Sequence, residues 1–154
     1  MTVAPRRAAL KFESVDDIAA AIRDGGGRLT AARRIVLDVL FAADGLVSAE
    51  AIAGGLDGRM MTSDLSSVYR NLERLEELGV VRHVHLDHGP GLYTLERDTE
   101  YLMCEGCRRV DPVDAARLDD VRSAIRDAFG YHARFSHFPI VGLCADCAGP
   151  RKPG

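Results

Sequence analysis

S-S-V-Y-R-N-L-E-R-L-E-E-L-G-V-V, Ser66 to Val81, holds a helix, its stop and the start of a strand. Leu65, Val68, Leu72, Leu75 and Leu78 recur at helical spacing, so a helix is predicted to open around Ser63 and to end at Gly79. Val80 to Leu86 then extends, Asp87-His88-Gly89-Pro90-Gly91 turns, and Leu92 to Leu95 extends again. That is a hairpin directly after a helix. Three shorter helical stretches precede it. Ser14 with Asp17 forms a capping-box-like start for Val15, Ile18, Ala19 and Ile22, which run to Gly25-Gly26-Gly27. Thr30 caps a stretch whose apolar side includes Val36, Val39 and Leu40, and Ser48 opens a short one through Ile52. Short helices closed by a β-hairpin predict a winged helix-turn-helix domain over residues 14–96, behind a mobile tail of residues 1–13.

Beyond residue 97 the pattern changes. A short strand (Tyr101 to Cys104), another near Val110 and a helix with Leu118, Val121, Ile125 and Phe129 in register precede Gly130. A last extended segment is expected from Tyr131 to Leu143. Residues 97–148 therefore read as a small α/β lobe and 149–154 as a tail, giving an α+β chain of two domains. The lobe has little apolar content and is expected to bury a face against a second copy, as a dimerisation domain.

All four cysteines of the chain lie in this lobe as two C-x-x-C pairs, Cys104/Cys107 and Cys144/Cys147. Each pair sits on a tight turn that presents two thiolates to one ion, and two such turns complete a tetrahedral set with no open position. A closed sulfur site is a structural zinc site. Redox pairs or buried free thiols are the alternatives, and disulfides fit poorly because no secretory signal or long apolar run is seen. The chain is expected to be cytoplasmic, with no membrane partner.

The 154 residues carry a net charge of −3, so no global basic field announces nucleic acid. Contacts to DNA must come from local clusters such as Arg28/Arg33/Arg34 and Arg70/Arg74. On the helix of residues 66–78 the non-core positions are Ser66, Ser67, Tyr69, Arg70, Asn71 and Arg74. Hydroxyls, a polar-tipped aromatic and arginines on one face suit phosphate and base-edge contacts in a major groove. A merely solvated helix face is the alternative.

These residues bring the chain to a family. R-L-T-A-A-R-R-I-V-L (Arg28 to Leu37), S-A-E-A-I (Ser48 to Ile52) and the stretch Ser66 to Val81 resemble the ferric uptake regulator family of metal-dependent repressors. C-E-G-C and G-L-C-A-D-C match that family's zinc knuckles in order and spacing, and the likeness extends over about residues 14–148. It implies a homodimer on double-stranded operator DNA, with Tyr69 and Arg70 in the reading helix. No small-molecule substrate is implied. Asn71 stands where the family commonly has threonine.

All five histidines fall between residues 83 and 137. His83 and His85, two apart on a strand, point to the same side, so two imidazoles can approach one ion, and His137 can supply a third nitrogen. H-V-H followed by S-H-F-P-I-V-G-L-C is similar to the nickel-responsive branch, whose regulatory ligands would fall on His83, His85 and His137 at the interdomain hinge. Ni2+ is favoured there, with Zn2+ or Fe2+ as alternatives. Satisfied polar residues without metal remain a further alternative, leaving a winged-helix regulator that holds structural zinc only. The family's histidine-rich run before the first C-x-x-C is absent, since Arg97-Asp98-Thr99-Glu100-Tyr101 occupies its place. The common second site is thus expected to be lost or rebuilt with Glu96 or Glu100. His83 to His88 also spells the H-x-H-x-D-H motif of metallo-β-lactamase-fold hydrolases, a remote alternative because the chain is too short for that sandwich.

Overall fold

The computed structural model describes residues 10–43 and 45–150. Residues 1–9 and 151–154 of the two expected tails lie outside the described residues. The chain forms two compact units: Leu10–His83 with Asp87–Arg97, and Val84–Leu86 with the chain from Asp98 onward.

The first unit is built from capped helices. α1 (Val15–Asp24), α2 (Ala31–Ala42), α3 (Ala49–Ala53) and α5 (Leu65–Glu77) each begin where a short polar side chain accepts an otherwise orphaned backbone N–H. The acceptors are Ser14, Thr30, Ser48 and Asp64, at 3.0 to 3.2 Å. Between them lies an unexpected single turn, α4 (Gly55–Gly58), in which Leu56 and Asp57 take φ of 52° and 60°. Such backbone cannot propagate a right-handed helix. A Cβ on Gly55 would stand 2.3 Å from the Met60 carbonyl oxygen, so this turn needs glycine.

Ile18, Leu37, Ile52, Val68, Leu72 and Leu75 are sealed in the core between these helices. Two expectations for α5 need correction. Leu65, in the first turn at the edge of the apolar stripe, is 38% exposed. Asn71 is buried rather than on the outer face, because its Nδ2 donates to the Ser67 carbonyl at 2.9 Å, which satisfies the amide inside the fold. Strands β1 (Val81–Val84) and β2 (Leu92–Leu95) form the hairpin. Residues 10–13 do not behave as a tail. Leu10 bridges Arg97, the Lys11 N–H donates to the Glu96 carbonyl at 3.1 Å, and Phe12 packs on the core.

In the second unit a three-stranded sheet has the order β4-β3-β5. β3 (Thr99–Cys104) runs antiparallel to β4 (Val110–Asp114), from Thr99↔Asp114 to Met103↔Val110. β5 (Ile140–Gly142) lies parallel on the other edge, from Leu102↔Ile140 to Cys104↔Gly142. A 3-10 turn (Ala115–Leu118) leads into α6 (Asp119–Phe129), which Gly130 ends at a φ of 73°. None of the residues of α6 is buried, and Phe129 is 73% exposed. The expected extension from Tyr131 is mostly irregular, so His137 precedes the strand instead of lying on it. α7 (Ala145–Ala148) is one turn carrying Cys147.

Candidate functional site

The ladder β3–β5 ends at Cys104↔Gly142 and so sets the two knuckles side by side. Cys104 closes β3, and the Arg108 N–H returns to its carbonyl at 2.9 Å, which folds Cys107 back. Cys144 stands at the mouth of α7 and Cys147 one turn along. The four sulfurs lie within 4.8 Å of one another, with Cys107 Sγ and Cys144 Sγ 3.9 Å apart. A tetrahedral ion with Zn–S bonds of about 2.3 Å requires sulfur pairs about 3.8 Å apart. The four thiols are free of disulfides.

Two further observations fit this donor set to zinc. A Cβ on Gly106 would meet Cys147 Sγ at 2.9 Å, so the glycine of C-E-G-C is what lets the knuckles close. The protonation pattern points the same way. Backbone N–H groups, first of Cys144 and then of Cys107 and Gly106, lower the Cys104 thiol to about 6. Hydrogen bonding to Cys144 and then Cys104, with burial, pushes the Cys147 thiol up to about 12. One thiolate forms readily and its packed neighbour resists a second charge, the imbalance a divalent cation removes.

Of the histidines, His85 and His137 meet within the second unit. Their ring centroids are 5.3 Å apart, and the His85 N–H donates to the His137 carbonyl at 3.1 Å. Phe138 packs on both rings, at 5.9 and 5.1 Å between centroids. His83 belongs to the first unit, where its Nδ1 pairs with Glu76 of α5 and its ring lies 5.9 Å from Tyr93. No sequence pattern pointed to Glu76, because a contact seven residues away across a helix–strand junction follows no single period. His88 is exposed in the hairpin turn. Glu100, a candidate for a rebuilt second site, is buried and accepts from Arg122 Nη2 at 3.2 Å. A guanidinium therefore already balances it.

On α5, Ser66, Tyr69 and Arg70 are exposed and Ser67 is half-buried. The Tyr69 hydroxyl donates to Glu50 of α3 at 3.3 Å, which steadies the ring on the outer face. Arg28 and Arg34 are exposed and Arg33 half-buried, and Arg34 pairs with Asp16 at 3.3 Å. Arg28 and Arg34 line a recess at the start of α2 together with Arg23 and Thr30.

Capped helices, a wing and a separate lobe with a four-sulfur cluster define a winged helix-turn-helix transcription regulator. Residues 24–137 match the ferric uptake regulator family, and the chain belongs to it. Members are metal-responsive transcriptional repressors and not enzymes, which removes the hydrolase suggested by H-x-H-x-D-H. A peroxide-responsive repressor of Staphylococcus saprophyticus is 22% identical over 134 residues, 86% of this chain and 90% of that protein. The Helicobacter pylori ferric uptake regulator, described with three functional metal-binding sites, superposes with a TM-score of 0.66 at 17% identity. It covers 96% of this chain and 99% of its own. A zinc uptake regulator complexed with zinc and DNA gives 0.56 at 24% identity, over 86% and 91%. Among the described residues no helix is long and apolar enough to cross a membrane.

Proposed function

We propose that this chain is a homodimeric, cytoplasmic repressor that binds operator DNA when a regulatory divalent metal occupies His83, His85 and His137. Cys104, Cys107, Cys144 and Cys147 hold a structural zinc. Tyr69 and Arg70 read the major groove from α5 with Ser66 and Ser67, while Arg28, Arg33 and Arg34 take backbone phosphates. The observation that carries the sensing role is the close approach of His85 and His137, whose tilted rings have centroids 5.3 Å apart, with His83 two residues before His85. Three imidazoles at one ion suit nickel, which the branch likeness favours, and equally admit zinc or iron. The DNA role is supported by the exposed Tyr69 and Arg70 and by the DNA complex of the related zinc regulator.

The mechanism follows from linkage. An ion that takes ligands from both units favours one arrangement of them, and in a dimer that arrangement sets the separation of two reading helices. Successive major grooves lie about 34 Å apart. A metal that prefers the DNA-competent arrangement must be bound more tightly in turn by the DNA complex. Gel shifts of wild type and His137→Ala against operator DNA, with and without Ni2+, Zn2+ and Fe2+, test it. The variant is expected to lose metal-dependent binding and keep its zinc and its dimer. An unchanged metal response would leave a regulator with structural zinc alone at these histidines.

A further inference from the structure

Glu76 lies in the last turn of α5, the helix that carries Tyr69 and Arg70. Its carboxylate meets His83 Nδ1, and both side chains are about three-quarters buried. The pair is therefore shielded from water. A carboxylate at Nδ1 holds the proton on that nitrogen, fixes the plane of the ring and leaves Nε2 as the ligand atom. Tyr93, whose ring lies 5.9 Å from that of His83, packs in the same region. Burial raises its hydroxyl above the ordinary value of 10, and the charge of Glu76, then Tyr69 and Glu50, raises it further. Glu76 and Tyr69 are seven residues apart, two turns of one helix and the same side of it. The Glu50–Tyr69 hydrogen bond thus lies on the outer face of α5 and the Glu76–His83 pair at the end of the same helix, with Tyr93 beside His83.

We propose that Glu76 is the carboxylate that orients His83 toward the regulatory ion and passes the ion's presence to the reading helix. This rests on His83 being a ligand, as set out above. When an ion draws on Nε2, the Nδ1–H becomes a stronger donor and the hydrogen bond to Glu76 tightens. The end of α5 is then held against β1 more firmly than without metal. Glu76 touches the imidazole and not the ion, so it is a positioning residue.

The test titrates the zinc-loaded full chain with Co2+, following its visible absorption bands, for wild type, Glu76→Ala, Glu76→Gln and His83→Ala. Glu76→Ala is expected to bind Co2+ about ten- to a hundredfold more weakly, with its bands in place because the ligand set is intact. Glu76→Gln keeps an acceptor oxygen for Nδ1–H and should recover most of that loss. The metal-induced gain in operator affinity should shrink in Glu76→Ala and return in Glu76→Gln, with zinc content and metal-free operator affinity constant throughout. His83→Ala should remove the bands. Unchanged Co2+ affinity in Glu76→Ala alongside loss in His83→Ala would overturn the role of Glu76 and leave the three-histidine site standing. Unchanged affinity in both would overturn the two together. Bands displaced in Glu76→Ala would make Glu76 itself a ligand and end its positioning role.

Discussion

A methyl group at position 106 has nowhere to go, because the sulfur and Cβ of Cys147 stand 2.9 and 3.0 Å from where it would sit. Gly106→Ala must push the second knuckle away from the first, and sulfur geometry admits little error around zinc. That variant should surrender zinc to a chelator such as EDTA much sooner than wild type, while Glu105→Ala, at an exposed site one residue earlier, should not. Equal release from both variants would show that the knuckles have room to spare. The cysteines were legible in the sequence because C-x-x-C spacing is itself the geometry. Asn71 and Glu76 were not. Their partners, Ser67 and His83, are decided by where neighbouring elements cover the helix, and no spacing rule encodes that cover.

Helix starts were readable one by one, since Ser14, Thr30 and Ser48 each cap the helix expected after them. The left-handed turn at Leu56 and Asp57 was not, because leucine rarely adopts positive φ, and the crowding of Gly55 by the Met60 and Met61 carbonyls is a contact that no local pattern encodes. In the second unit α6 is tied to β3 by one buried ion pair. Arg122 reaches Glu100, which is 8% exposed at its side chain, and also donates to Asp119 and to the Ala115 carbonyl. Its guanidinium lies 5.5 Å from the Phe135 ring. Removing one partner of a buried pair leaves the other's charge in a poor solvent. Arg122→Ala should therefore cost about 3–5 kcal/mol in urea unfolding of the second unit, and Arg126→Ala, on an exposed stretch of the same helix, about 0.5 kcal/mol or less. Equal costs would mean that Glu100 finds water or another cation.

At the level of the whole molecule, the succession of α1, α2, α3, α5, the hairpin and the cysteine-bearing lobe could be followed in the sequence, whereas the grouping of Val84–Leu86 with the second unit carries no local signal. What α6 presents could not be followed either. Its apolar residues recur at helical spacing, which predicts burial, yet Val121 and Phe129 are exposed within one chain. A second copy is the proposed cover. Cys144→Ser should release zinc and leave the second unit unable to pair, so sedimentation should report a monomer while α1 to α5 remain helical by circular dichroism. A zinc-free variant that stays a dimer would separate assembly from the metal.

The parallel ladder Leu102↔Ile140 also has a meaning in time. β3 and β4 are joined by a short loop and can pair as soon as both are made, whereas β5 arrives 38 residues after its partner. At a synthesis rate of about 5–20 residues per second, that gap lasts about two to eight seconds. Throughout it Cys104 and Cys107 wait as a half-finished chelate, without the Cys144 N–H that lowers the Cys104 thiol in the finished fold and with no second pair of sulfurs to share an ion. Nascent chains, not finished ones, are then the population that an oxidant or a shortage of metal strikes first.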